Sequence, residues 1–392
     1  MGTGRSEKKT GTSKGRMLTI CALIALLAIG IACIFFLRTK PVSAEKPKDY
    51  SEYERAVVTE ILSDNTEADP VSDGAYRGEQ MLIAEVKTGQ YKGKSMKAYN
   101  YVGPLYGSPL KKGDSVVLSI STYGTGEVTA TVFEYNRFYP VVAVLILFIL
   151  ATVLVGRGTG AKSLVALFVT VLCLIFILIP ALLKGAPTLI TSFLVCLYIT
   201  VLSLTIIGGI KKKTLCAMAG TAAGTAFAAL FGLLAQLLLR IDGLRLSDVE
   251  PLLQMRQSGE SLIGLRGLLI AGVMISALGA VMDVAMSISS ALSEIKEANP
   301  SYSFKELFSS GMNIGRDMVG TMTNTLILAF MGSSFTLIIY LYSLGLSFWQ
   351  LMSSAFVSLE VVSSISCSIG LILAIPLTAA IAAAVYGKRQ DA

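Results

Sequence analysis

Asp283 is the residue whose surroundings call for a chemical explanation. It stands in GAVMDVAMSISSAL, a stretch otherwise made of apolar and small residues. Ser276, Asp283, Ser287, Ser290 and Glu294 follow one another at spacings of seven, four, three and four. Those spacings put all five on one face of a helix. The next apolar stretch opens at Arg316 and Asp317 and continues GTMTNT, placing Thr321 and Asn324 a few turns in. Asp283 is about seven residues, roughly 10 Å, from its nearer stretch end, and Asn324 is at about the same depth. An ionised aspartate in the middle of a membrane helix costs about 2.5–3.5 kcal/mol. Its short side chain cannot reach the interface as lysine does. Water, a cation, a proton or a polar partner must therefore compensate it. Oxygen atoms from Asp283, Ser287, Thr321 and Asn324 would suit a hard cation or a proton path, with Arg316, Asp317, Ser290 and Glu360 around them. The same residue types also act as glue between helices, at about 0.6–2 kcal/mol per hydrogen bond. The spacing leaves both readings open.

The elements that carry these residues are apolar spans. The chain has 392 residues, of which 53% are hydrophobic and 15% charged. An ordinary soluble domain carries about a quarter charged residues. Runs longer than about 18 apolar residues recur along the chain, and about eight can be counted. The first, residues 17–37, follows a basic tail at residues 1–16. It is longer than the apolar region of a signal peptide and reads as an uncleaved anchor. The other seven lie within residues 139–392. With the N-terminus inside, Arg157, Lys162, Lys211 to Lys213, Lys296, Lys305 and Arg316 all fall on the cytoplasmic side. The C-terminus falls there too. This predicts a multi-pass membrane protein with both termini cytoplasmic. The net charge of +7 is then a matter of orientation in a lipid bilayer rather than of nucleic-acid binding. Two segments read as lying in the outer interface: one near residues 243–262, with Ser247 and Glu250 at capping-box spacing, and one near residues 348–362, holding Glu360.

Residues 38–138 alternate instead. RAVVTEIL, QMLIAEVKT, KSMKAYNYV, DSVVLSIST and EVTATVFEY each fit a half-buried strand. Five short strands predict a small all-β domain, OB-like or SH3-like, exported beyond the membrane after the first helix. Acids and bases are nearly balanced in it, which argues against nucleic acid and for a cap or a protein-contact surface.

Gly220, Gly224, Ala228 and Gly232 recur every fourth residue, a small-residue stripe for close helix packing. The six cysteines have no zinc or disulfide spacing and read as small packing residues. Histidine is absent, which removes His-based triads and HExxH zinc sites. No phosphate-binding GxxxxGK[ST] loop occurs. The sequence thus predicts neither enzyme, metal nor cofactor.

GAVMDVAMSISSAL, SGMNIGRDMVGTMTNTLILAFMGSS and SIGLILAIPLTAAIAA resemble the YibE/F family of bacterial multispan membrane proteins. The resemblance extends over most of the chain, including the β-rich segment after the first span. It implies an integral membrane protein of permease type and carries over no catalytic or substrate-binding residue. The expectation is cation- or proton-linked transport of a small solute at Asp283 and Asn324. The alternative is a non-transporting scaffold or partner subunit, in a homo- or hetero-oligomer, whose β domain binds another protein.

Overall fold

The computed structural model describes residues 23–33, 50–123, 127–246, 249–259 and 261–387. The basic tail, both ends of the anchor, Cys21 and Ser247 lie outside the described residues. Two compact units emerge, Lys40–Thr152 and the remainder.

In the first unit the strands are β1 (Tyr50–Asp64), β2 (Glu67–Ala68), β3 (Tyr76–Val86), β4 (Ser95–Val102), β5 (Ser115–Thr122) and β6 (Val128–Tyr135). The order is β1-β5-β6-β4-β3-β2, and β1 also pairs with β3. The five long strands therefore form a closed ring. One 15-residue strand, β1, serves both neighbours: Tyr50 to Val57 pair with β5, and Ala56 to Asp64 pair with β3. Register shifts between Val58 and Glu60 and between Ile61 and Ser63 bend it round the corner. The ring closes through a parallel pair, Ala98 with Ala130 and Tyr99 with Thr131. Of the two barrel types the alternation allows, that closure is the OB arrangement. The alternation works as the period of two requires. Leu82, Ala84, Leu118 and Ile120 point inward and are fully buried.

Two amides sit in that core. Gln80 and Asn100 are each 1% exposed. Gln80 donates to Asp64 Oδ2 (2.8 Å) and to the Leu110 carbonyl (3.2 Å). Its own carbonyl accepts from Asn100 Nδ2 (2.9 Å) and from the Leu110 N–H (2.8 Å). Asn100 donates further to the Ser108 carbonyl (3.0 Å). The network fixes the connection between β4 and β5 against the barrel wall. Asp64 anchors its edge. The Thr66 hydroxyl, the Thr66 N–H and Gln80 hold its carboxyl below the usual carboxylate range, in that order of effect. The folded value is the depressed one, so this stabilisation is complete above the unfolded value, about 3.9. It is lost as pH falls through the folded value. Acidification from about pH 6 to about pH 3 should lower the melting temperature of the barrel less in Asp64→Asn than in the parent chain. Equal losses in the two would remove Asp64 from the account.

The second unit is helical. Its elements are α1 (Leu23–Cys33), α2 (Phe138–Cys173, which begins in the first unit), α3 (Ile179–Leu183), α4 (Thr188–Gly208) and α5 (Lys212–Leu239). They continue with α6 (Glu250–Gln257), α7 (Leu268–Ala298), α8 (Phe304–Ser333), α9 (Phe335–Ser343), α10 (Phe348–Met352) and α11 (Ala355–Gly387). Among the described residues five helical runs are long and apolar enough to cross a membrane. The count is six if α8 and α9, bent by 61° at Ser334, form one span. The two spans expected before and after Arg157 are one 46-residue run, Phe138–Leu183. Arg157 breaks it, with φ 47° and ψ −131°. A five-residue π-turn, Leu174–Leu178, precedes Pro180. Proline has no N–H to give to the preceding turn, and a widened turn is one way a helix accommodates that.

The bundle is tightest where α5, α7 and α11 meet. The stripe on α5 is the reason. Gly220 lies against Thr378, and Gly232 lies near Ile270 and Ser366. A Cβ on Gly224 would stand 2.7 Å from Ala374 Cβ, 2.7 Å from Val281 Cγ1 and 3.0 Å from the Gly370 carbonyl oxygen. Small residues let these backbones approach, and dispersion between them replaces the hydrophobic drive that lipid does not supply. Four of the cysteines, Cys173, Cys196, Cys216 and Cys367, are buried in this unit.

In the segment expected at the interface near residues 243–262, helix α6 has no buried residue, while Val249 just before it is buried in the same cluster as residues of α4 and α7. Helix α6 is capped at Val249 with no side-chain bond. The segment 348–362 is not one surface helix. Ser347 and Gln350 form a capping box that starts α10. After Met352 the chain turns, and from Ala355 it is already in α11. Glu360 therefore rides on the last long helix.

Candidate functional site

Helix α7 has two faces. Val273, Ala277, Val281, Val284, Ile288 and Leu292 recur every three or four residues and are at most 1% exposed. They pack toward α5, α8 and α11. This apolar stripe fixes the rotation of α7. The opposite face is then Gly272, Ser276, Gly279, Asp283, Ser287 and Glu294, and all of these are exposed. Ser290 is half-buried at its margin. Asp283 makes no hydrogen bond and no ion pair among the described residues. A Cβ at Gly272 or Gly279 would meet nothing within 4 Å.

Helix α8 starts with a capping box between Ser303 and Glu306. Its buried positions are Leu307, Gly311 and Gly315. Gly311 lies 2.9 Å, as a Cβ, from Ala379 Cβ and 3.1 Å from Leu292 Cδ1, and Gly315 lies against Ile375. The polar face again turns out: Arg316, Asp317, Thr321 and Asn324 are all exposed. Arg316 bonds Asn313 Oδ1 at 3.2 Å on its own helix. Thr321 donates to the Met318 carbonyl at 3.2 Å. No hydrogen bond joins Asp283 to Asn324, and none joins Asp283 to Arg316. The two polar stripes that the sequence sets opposite each other thus do not close into a bonded seam within this chain. The reason is packing. Ile288 and Leu292 on α7, with Leu307 and Gly311 on α8, take the helix contact, and the polar faces rotate away from it. A serine of α7 does bond another helix: Ser289, fully buried, donates to the Lys213 carbonyl at 2.7 Å. Sequence reasoning missed it because Ser289 sits one position off the polar stripe.

Glu360 stands apart from both. It is half-buried and lines a cleft of about 420 Å³ between the α8–α9 bend and the start of α11. Its backbone carbonyl accepts from Ser364 Oγ at 2.7 Å. Its carboxylate has no partner among the described residues. The signal in the sequence was MGSS, a Gly-Ser-Ser interruption in the middle of an apolar run.

Among the described residues no group of three His, Cys, Asp or Glu side chains could hold a metal ion. Asp283, Ser287, Thr321 and Asn324 can each offer oxygen. Among the described residues no side-chain hydrogen bond joins any two of them.

Comparison with curated proteins and with solved structures returned no match. The apolar helices are those of a membrane protein. The profile described as YibE/F-like protein matches residues 144–388, from within α2 to the end of α11. The β barrel lies before the matched segment. With more than half of its length matched, the chain belongs to the YibE/F-like protein family.

Proposed function

We propose that the chain is a permease-like protein of a bacterial cytoplasmic membrane and that Asp283 is its proton- or cation-carrying group. The observation that supports this is the unpartnered carboxylate on the open face of a membrane-length helix. A charge at that depth is too costly to keep without water, a cation or a proton beside it. The topology that goes with this reading has eight spans. They are the five long runs with Phe138–Leu183 counted twice across Arg157, the bent α8–α9 pair, and the span that contains α1. Each part of the divided run, roughly 19 and 26 residues, is about 28 Å or more long. Tyr198 on α4 donates to the Leu26 carbonyl of α1 at 2.6 Å, so α1 docks on the bundle. In this topology both termini are cytoplasmic and the barrel is exported.

The test is proton or alkali-cation flux into liposomes reconstituted with the full chain, read by a trapped dye under an imposed gradient. Asp283→Asn should reduce the flux at least about tenfold, the effect of removing a group worth about 1.4 kcal/mol or more to the barrier. Parent-level flux in a well-folded Asp283→Asn protein would end the proposal.

A second reading is a scaffold or partner subunit. The open positions at Gly272 and Gly279, on the same face as Ser276 and Asp283, favour it, since small residues let another helix approach. A partner that co-purifies with the parent chain and is lost on Gly279→Leu would support this reading in place of the first.

A further inference from the structure

A cavity of about 820 Å³ opens where three membrane-length helices end together: α5 starts at Lys212, α7 stops at Ala298 and α11 stops at Gly387. The link from α7 to α8 completes its wall with Ser301, Tyr302 and Phe304. Among the described residues two lysines line it, Lys212 and Lys296, and no aspartate or glutamate does. Lys296 is held at the wall by one bond, from Nζ to the Tyr302 carbonyl at 2.8 Å. An ammonium has three donors, so two remain for a ligand. Lys212 is exposed and has no ion pair among the described residues. Glu306 lies in the first turn of α8, and its carboxylate is already taken by the Ser303 N–H and hydroxyl, both at 2.7 Å. Helix dipoles do not set the sign of charge here, because α5 and α8 begin at the cavity while α7 and α11 end at it. The lysine side chains set it. The first turn of α5 adds N–H groups with no side-chain cap.

We propose that this cavity binds the phosphate group of an organic anion, with Lys212 and Lys296 as its counter-charges. Two sources carry that group at a membrane surface, an anionic phospholipid and a soluble phosphate ester. A cation would meet two ammonium groups, and a neutral molecule would strip water from them without replacing its hydrogen bonds. A bare inorganic ion fills only a small part of the space, which is in the size range of organic-ligand sites. Basic pockets between membrane helices are a recurrent form of phospholipid-headgroup site. The shared ends of α5, α7 and α11 put this one at headgroup depth in either orientation of the chain. Phe304 and Val385, exposed apolar side chains in the lining, suit the acyl side of such a molecule. The inference does not use Asp283.

The test is isothermal titration calorimetry on the purified full chain in an uncharged detergent, with protein-free micelles as background. The probes are dioctanoyl phosphatidylglycerol, dioctanoyl phosphatidylcholine and glycerol 3-phosphate. Saturable binding of one anion per chain is expected. Phosphatidylglycerol bound without glycerol 3-phosphate assigns the site to lipid; glycerol 3-phosphate bound assigns it to a soluble ester. Binding should weaken at least about tenfold in Lys212→Gln and in Lys296→Gln. Lys162→Gln removes another exposed lysine, one that the eight-span topology puts on the same side of the membrane, and should leave binding unchanged. No saturable binding of either anion, phosphatidylcholine bound as tightly as phosphatidylglycerol, or undiminished binding in either folded cavity variant would each overturn the proposal. Elution as a single folded species qualifies each variant. Lys296→Gln also loses the bond to Tyr302, so if it fails that check, Lys212→Gln decides. Flux through Asp283 is read in a separate assay, so failure of either proposal leaves the other standing.

Discussion

Replacing Gly224 by valine is expected to abolish recovery of the folded helical unit. A single methyl at this position already meets Ala374 Cβ at 2.7 Å and Val281 Cγ1 at 2.7 Å, with the Gly370 carbonyl at 3.0 Å. None of these is the far end of a flexible chain. Gly370 makes the same contact from the other side: a Cβ there would stand 2.5 Å from Ala228 Cβ. Relief therefore requires α5 and α11 to move apart along the line where the bundle is most closely packed. Overpacking a core by a methylene or two costs about 1–3 kcal/mol when neighbours can adjust. Here backbone has to shift and the cost exceeds that range. Detergent-solubilised Gly224→Val should elute as aggregate, or melt far below the parent protein. A single sharp peak with the parent melting temperature would show that α5 and α11 are not held this closely. Gly272→Ala is the matched control, because a Cβ there meets nothing within 4 Å.

The second large effect belongs to the barrel. Gln80→Leu keeps most of the volume and removes four hydrogen bonds at once. The Leu110 N–H and carbonyl lose their partner in a buried place, and Asn100 Nδ2 keeps only the Ser108 carbonyl. Each buried group left unpaired costs about 1–3 kcal/mol. A total of about 3 kcal/mol or more is a large part of what a small domain has. Amide hydrogen exchange in β3, β4 and β5 of the full chain should accelerate more than about a hundredfold, since 1.4 kcal/mol is a factor of ten. Exchange at the parent rate would mean the network is not maintained in solution.

The five strands of the barrel were legible because each carries a clean alternation, as in Ser115–Thr122, where Val116, Leu118 and Ile120 point inward. The parallel closure between β4 and β6 was not, because it joins segments far apart in sequence and involves two residue pairs. The short β2 has two residues and too little pattern to read. In the helical unit, apolar length marked the spans, and the four-residue spacing marked the face of α5 that meets α11. The rotation of α7 and α8 was not legible. The polar stripe predicts which residues share a face and says nothing of whether that face turns toward a neighbour. The buried spacing from Val273 to Leu292 decides it. The bend at Ser334 was hidden for a related reason: hydropathy averages over a window and does not register a local change of direction.

The ring of strands in the barrel has a consequence for how this domain could recognise anything. The ring is closed between β4 and β6 by two residue pairs, Ala98 with Ala130 and Tyr99 with Thr131, so most of the backbone along that seam is not laddered. A visiting peptide can pair with backbone there. The rest of the outer wall offers side chains. The parallel rings of Tyr99 and Tyr101, 6.5 Å apart, and the edge-on pair of Tyr53 and Phe133 stand there. Specificity in such a surface is written in residue identity, so it can change by point substitution while the backbone stays as it is.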